Sequence, residues 1–252
     1  MRWRASLAAA TLAALAVPAT AQIAAAPQPA AADDATPRTP GEAAQALRDL
    51  VGRYFAWRGP AYAQLQTIHE RLQIETPAGR APGALWMDRD GRLRRETSSA
   101  AGATIEVSGP AGSWRIGPAG APDDPKAAER ARRYAMLEFG DALTGRGGAV
   151  VALAGKTTVE DHLWAVVRVT FGDADIYEAL LDPESGALGG YRITEAGAVR
   201  TQLFGAWRLV DGVRMPFMLL TRTDRETGAE VTALELNKPF DSALFQRPDS
   251  GG

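Results

Sequence analysis

Hydrophobic positions along the chain change period several times, and each change predicts an element. Ala43, Ala44, Leu47, Leu50, Val51, Tyr54 and Phe55 recur at spacings of three and four. That gathers them on one face of an amphipathic helix. Thr39 is placed to cap it, Pro40 suits the first helical position, and Glu42 completes a T-x-x-E capping box. Gly59-Pro60 ends it. From Gln64 the period becomes two: Ile68, Leu72 and Ile74 alternate with His69, Arg71 and Gln73. Further short runs at 84–87, 92–98, 104–107 and 113–116 are separated by turn residues such as Asp90-Gly91 and Gly109-Pro110. Short alternating runs joined by tight turns predict an antiparallel meander.

A polar stretch at 118–125 interrupts the strands, and Asp124 before Pro125 predicts the cap of a second helix reaching Gly140. The helix is basic on one side (Lys126, Arg130, Arg132, Arg133) and apolar on the other (Ala127, Ala131, Tyr134, Ala135, Met136). Residues 144–148 are glycine-rich but lack the Gly-Lys-Ser/Thr ending of a phosphate loop, and read as a turn. Seven more strands follow at 149–153, 162–171, 175–182, 190–195, 199–209, 213–223 and 230–236. Glu226-Thr227-Gly228 reads as the last hairpin turn, and Pro216 belongs on an edge or at a bulge. The predicted fold is mainly β (α+β): a single curved antiparallel sheet of about 11–12 strands, a half-open barrel with two or three helices in its mouth.

Several strands are apolar on both faces. In 162–171, Leu163, Ala165, Val167, Val169 and Phe171 share one parity, and Trp164 and Val166 the other; Met215, Phe217 and Leu219 oppose Met218 and Leu220. One face packs on the helices. The second either lines a cavity or is covered by the barrel's own closure.

The N-terminus has a different pattern. Arg2 and Arg4 precede an apolar run at 5–17, and Ala19-Thr20-Ala21 forms a cleavage site. This predicts a signal peptide over 1–21, since the run is far shorter than the roughly 20 residues that span a bilayer. Residues 22–39 are rich in Ala and Pro and predict a flexible linker, 40–248 the folded domain, and 249–252 a disordered tail. The expected location is the periplasm, with secretion beyond it as the other outcome of export, and with no transmembrane segment.

Composition narrows the function. The chain of 252 residues carries 28 Lys+Arg against 30 Asp+Glu, a net charge of −2, which removes the footprint of a nucleic-acid binder. It has no cysteine and two histidines. That excludes disulfides, thiolate metal sites, a Cys nucleophile and a lipid-anchored N-terminal Cys. No G-x-S-x-G, H-E-x-x-H or H-x-H pattern occurs. His69-Glu70 and Asp161-His162 are neighbours on strands and point to opposite faces. Asp88-Arg89-Asp90-Gly91 begins like a calcium loop but has Ser99 where the closing Glu belongs, and reads as a hairpin. No catalytic residue, metal site or cofactor is assigned, and the chain is expected not to be an enzyme. Glu70 falls on the apolar parity of its strand and needs a partner, with Arg94 or Arg95 the candidates.

The element order, with Ala84-Leu85-Trp86 before Gly91-Arg92-Leu93-Arg94, carries a resemblance. So do Trp114 after a Gly/Ser turn, Asp182-Pro183-Glu184-Ser185-Gly186, and the run from Trp207 to Phe217. The most specific part is the terminal N-x-P-x-D-x-x-x-F-x-x-P from Asn237 to Pro248. These residues resemble the LolA/LolB-like superfamily of outer-membrane lipoprotein-sorting proteins, especially its exported members. The resemblance implies a half-open barrel whose hydrophobic cavity, beneath the helices, receives acyl chains. Carriers of this type are soluble and receptors are anchored through an N-terminal Cys, so a chain without Cys is left with the soluble role.

The candidate cavity residues are Leu85, Met87, Trp114, Val167, Val169, Phe171, Phe217 and Leu219 on strands, with Met136 and Phe139 on a helical lid. Phe245 is expected to pin the C-terminus to the core. The expected function is a soluble periplasmic lipid- or lipoprotein-binding protein, a carrier in envelope biogenesis, whose partner is a lipid or an acylated protein. The rival is a non-catalytic interaction module with a closed, self-packed barrel that docks on an envelope protein. A distant third is a hydrolase using carboxylates such as Glu70 and Asp88.

Overall fold

In the computed structural model, which describes residues 39–99, 102–117 and 126–247, the capping signals at Thr39 act together. The Thr39 hydroxyl accepts from the Glu42 N–H, the Glu42 carboxylate accepts from the Thr39 N–H at 2.9 Å, and helix α1 runs Pro40–Arg58. Gly59 caps its end with φ of 109°. A Cβ at Gly59 would lie 2.3 Å from the Gly212 carbonyl oxygen, so the turn needs glycine for both conformation and space. The signal peptide, most of the linker, the 118–125 stretch with its Asp124 cap, and the tail lie outside the described residues.

Five strands follow: β1 (Thr67–Thr76), β2 (Gly79–Asp88), β3 (Leu93–Ser99), β4 (Gly102–Gly109) and β5 (Gly112–Ile116). After helix α2 (Ala127–Glu138) come β6 (Val150–Val159), β7 (His162–Thr170), β8 (Ile176–Leu181), β9 (Leu188–Glu195) and β10 (Ala198–Gly205). The last four are β11 (Arg208–Val210), β12 (Val213–Met215), β13 (Met218–Arg222) and β14 (Glu226–Leu236). Twelve strands form one antiparallel sheet in the order β5-β4-β3-β2-β1-β14-β13-β10-β9-β8-β7-β6, and β11 pairs with β12 in a separate ribbon.

The edges β5 and β6 do not pair, so the sheet is not closed. Yet it curves. Arg115 of β5 and Arg200 of β10 line one cleft. In a flat sheet the strands between them would hold them more than about 30 Å apart, at about 4.8 Å per strand.

Several boundaries differ from the sequence reading. β6 continues to Val159 past Gly155, whose φ of 102° and the register shift between Leu153 and Lys156 mark a bulge. The expected strands 199–209 and 213–223 each break, at Ala206-Trp207 and at Pro216-Phe217, so that β11 and β12 leave the main sheet. Glu226-Thr227-Gly228 is not a turn: these residues pair with Arg222, Thr221 and Leu220.

The concave face divides into two halves. Across β10 to β6 one register row reads Gln202, Tyr191, Ala179, Val167, Leu153, and the next reads Arg200, Ile193, Tyr177, Val169, Val151. This half is largely apolar. It packs against Leu50 and Tyr54 of α1 and Ala135, Met136 and Leu137 of α2 to form the core. Across β14 to β5 the corresponding row reads Leu234, Glu70, Leu85, Arg95, Glu106, Arg115. That row carries four charged residues, while the neighbouring row Leu236, Ile68, Met87, Leu93 joins the core. On the convex side the second apolar parity of β7 needs no cavity. The Trp164 indole lies on Gly189, where a Cβ would meet it at 2.4 Å, and Val166 and Leu180 are buried.

Candidate functional site

Helix α2 is fixed at one end and borders open space along one side. The last carbonyls of a helix lack intrahelical partners. Here buried side chains supply them: Tyr62 Oη donates to the Glu138 carbonyl at 2.6 Å, and Tyr191 Oη to the Leu137 carbonyl at 3.2 Å. Arg89 Nη2 reaches the Phe139 carbonyl at 3.3 Å. One turn earlier, buried Arg133 pairs with Glu129, with Asp173 at 2.8 Å and with Asp175 at 3.3 Å, its guanidinium 5.0 Å from the Phe171 ring centroid. These contacts bind α2 to the β7–β8 turn and to the core.

The other side of α2 presents Ala127, Arg130, Ala131 and Tyr134 to a cleft of about 370 Å³. Its facing walls are Leu93 and Arg95 of β3, Glu106 and Val107 of β4, Trp114 and Arg115 of β5, and Glu195 and Arg200 across the barrel. The size falls at the lower end of ordinary ligand sites, about 300–1,000 Å³. A second cleft, about 410 Å³, lies on the convex face over β1–β3 beside Trp86. There one face of the indole is stacked on His69 at 4.7 Å.

Behind the first cleft the interior holds a buried polar cluster. Arg58, at the end of α1, is fully buried among the rings of Tyr62 (4.2 Å), Trp207 (5.6 Å) and Tyr54 (6.0 Å). Its Nε and Nη1 have no hydrogen-bond partner among the described residues, and Nη2 reaches only the Met215 sulfur at 3.5 Å. A guanidinium held in this way leans on aromatic faces for its stabilisation. Burial, and then repulsion from Glu138, push the Glu70 carboxyl up to about 8; Arg58 and Arg95 oppose the shift. Glu138 is also raised by burial, against Arg58 and a hydrogen bond from Tyr134. Arg95, one of the two candidates expected for Glu70, stands two strands away across Leu85 and pairs instead with Glu106 at 3.9 Å.

The ten residues expected to line an acyl cavity separate into groups. Met87, Met136, Phe139, Val167, Val169 and Phe217 belong to the packed core, and Phe171 and Leu219 pack against it. Leu85 is buried in the charged row. Trp114 borders the first cleft and donates Nε1–H to the Phe245 carbonyl at 3.4 Å. Of the ten, only Trp114 borders either cleft. Phe245 lies outside the core cluster, so it pins the C-terminus to β3–β5 from the outer side, with Arg92 5.2 Å from its ring.

Glu70 and Asp88 are not brought together: they stand on opposite parities of the β1–β2 pair, and Asp88 is bonded to its own turn through Arg92. The histidines are likewise apart, His69 on Glu235 at 2.8 Å and His162 on Asp182 at 2.9 Å. Among the described residues no group of three His, Asp or Glu is arranged to hold a metal ion. None of their helices is long and apolar enough to cross a membrane.

Sequence reasoning missed Arg58, Glu138 and Arg200. The first two carried a signal: Leu50, Tyr54 and Arg58 are spaced by four, as are Tyr134 and Glu138, which puts each charge on a buried stripe.

No family model and no curated protein matches the chain. Solved structures do. A LolA superfamily protein from Nitrosomonas europaea is 11% identical, with a TM-score of 0.48 over 80% of this chain and 97% of that one. A DUF1329 family protein from Desulfovibrio piger is 12% identical, with a TM-score of 0.44 over 81% and 97%. An outer membrane lipoprotein-sorting protein domain from Vibrio parahaemolyticus is 10% identical, with a TM-score of 0.41 over 81% and 96%.

Proposed function

We propose that the chain is a non-catalytic binding protein of the bacterial envelope whose ligand is an amphiphile, a lipid or an acylated protein, carried between α2 and the charged half of the sheet. One observation carries the reading: α2 is held by its C-terminal turn and by Arg133, while its Ala127–Tyr134 side stands over a cleft on the concave face of an unclosed sheet. Directly behind it lie Met136 and the core residues first expected to line a cavity. An acyl chain enters by displacing α2 from that apolar half, and methionine adapts its shape to the chain. The test is titration with a fluorescent fatty acid, read by its emission. Saturable one-to-one binding supports the reading, and absence of binding at micromolar protein rejects it.

A second reading has an observation of its own. Eight of the ten expected cavity residues are packed in or against the core, as in a self-packed barrel that docks on an envelope partner. The same titration separates the two, because a closed barrel takes up no fatty acid.

A further inference from the structure

The wall of the cleft is not neutral. Among its described lining residues four guanidinium groups, Arg95, Arg115, Arg130 and Arg200, face two carboxylates, Glu106 and Glu195. Both carboxylates are shared. Glu106 lies 3.4 Å from Arg115 and 3.9 Å from Arg95. Glu195 accepts the Tyr177 hydroxyl at 2.9 Å and stands 3.9 Å from Arg130. The Arg200 guanidinium makes no ion pair or hydrogen bond with any described residue. Glu70, next in the row beyond Leu85, adds little negative charge at neutral pH because burial holds its carboxyl near 8.

The cations are all arginines, whose planar forks match the oxygens of carboxylate and phosphate. Gathered in a recess with low-dielectric walls, surplus positive charge concentrates anions. Ala127, Ala131 and Tyr134 continue the cleft along α2 as an apolar track.

We infer that the cleft binds the anionic head of its ligand, a phosphate or carboxylate, through Arg95, Arg115 and Arg200, with the tail directed along α2. This rests on the amphiphile-binding reading and assigns that site its ligand class. The experiment uses the full chain and compares a fluorescent fatty acid with the fatty alcohol of the same tail, in the wild type and in an Arg115→Gln/Arg200→Gln variant. Both side chains are partly exposed, so the variant keeps the fold; circular dichroism and a melting curve check this.

The wild type binds the acid at least about tenfold more tightly than the alcohol, and high salt shrinks the difference. The variant loses the preference while its affinity for the alcohol is unchanged. Inorganic phosphate then distinguishes the sources: displacement of the acid by phosphate supports a site for the free anion. No displacement, with the preference intact, supports a headgroup site that needs the tail. Equal binding of acid and alcohol by the wild type, or an undiminished preference in the variant, overturns the anion site and leaves the amphiphile reading standing. Binding of phosphate with neither amphiphile overturns the amphiphile reading and keeps an anion site. Binding of none of the three overturns both.

Discussion

The buried charges decide most at the scale of the residue. Glu70 ionises near 4.5 when unfolded and near 8 when folded. Between these values the native chain holds a proton that the unfolded chain has released. Stability therefore falls as pH rises across this window, by at most about 1.4 kcal/mol per pH unit. Glu70→Gln removes that dependence. Its melting temperature relative to the wild type rises between pH 5 and pH 8, a gain on the order of a few kcal/mol at the upper end. Parallel curves for the two proteins contradict this. Tyr62 is the second test. Its hydroxyl shares 2.6 Å contacts with Tyr54 Oη and the Glu138 carbonyl. Tyr62→Phe keeps the ring over Arg58 but strands a buried carbonyl, costing about 1–3 kcal/mol in urea unfolding. Glu70 was legible in the sequence because alternation is local and a carboxylate on an apolar parity stands out. Arg58 was not flagged, because the rings and sulfur that receive it belong to Tyr62, Trp207 and Met215, which only the tertiary fold assembles.

For elements, what the sequence made legible depended on how local the cause was. The capping box at Thr39 and the stop at Gly59 need only a few neighbouring residues, and α1 has the expected limits. The start of β14 is set by its partner: Glu226, Thr227 and Gly228 have turn chemistry, yet pairing with β13 holds them extended. The β6 bulge at Gly155 likewise hides a continuing strand behind a glycine. Helix α2 shows the same contrast. Its amphipathic pattern was readable, but not that Arg133, on the basic side, is its buried anchor. Arg133→Ala is expected to lower the melting temperature by about 5 °C, because it leaves Asp175 buried without its partner. Hydrogen exchange checks the asymmetry of the helix. The amides of Met136–Glu138 open close to global unfolding, and those of Arg130–Arg132 at least about tenfold sooner. Uniform protection along α2 contradicts the account of a helix held at one end.

The unclosed sheet joins these features across the whole molecule. One half of its concave face is apolar and supplies most of the core, joined by Ile68, Met87 and Leu236 from the other half. The other is charged and faces the cleft, and α2 lies between them. The sequence predicted the open antiparallel sheet and its strand number well, since hairpin signals repeat along the chain. Apolar residues on both parities of β7 left two outcomes open, a lined cavity or cover by the barrel's own closure. On the convex side Trp164 covers Gly189 and Val166 is buried, and on the concave side Ala165, Val167 and Val169 belong to the packed core. What is left open is smaller, more polar and rich in arginine.

The most direct test of ligand carriage is native mass spectrometry of the full chain exported to a bacterial periplasm and purified without detergent. The account predicts a population heavier than the polypeptide by the mass of one lipid or acyl group, released on denaturation and regained on incubation with fatty acid. Preparations that repeatedly show the bare polypeptide, and gain no mass with fatty acid, contradict it and leave the self-packed module in its place.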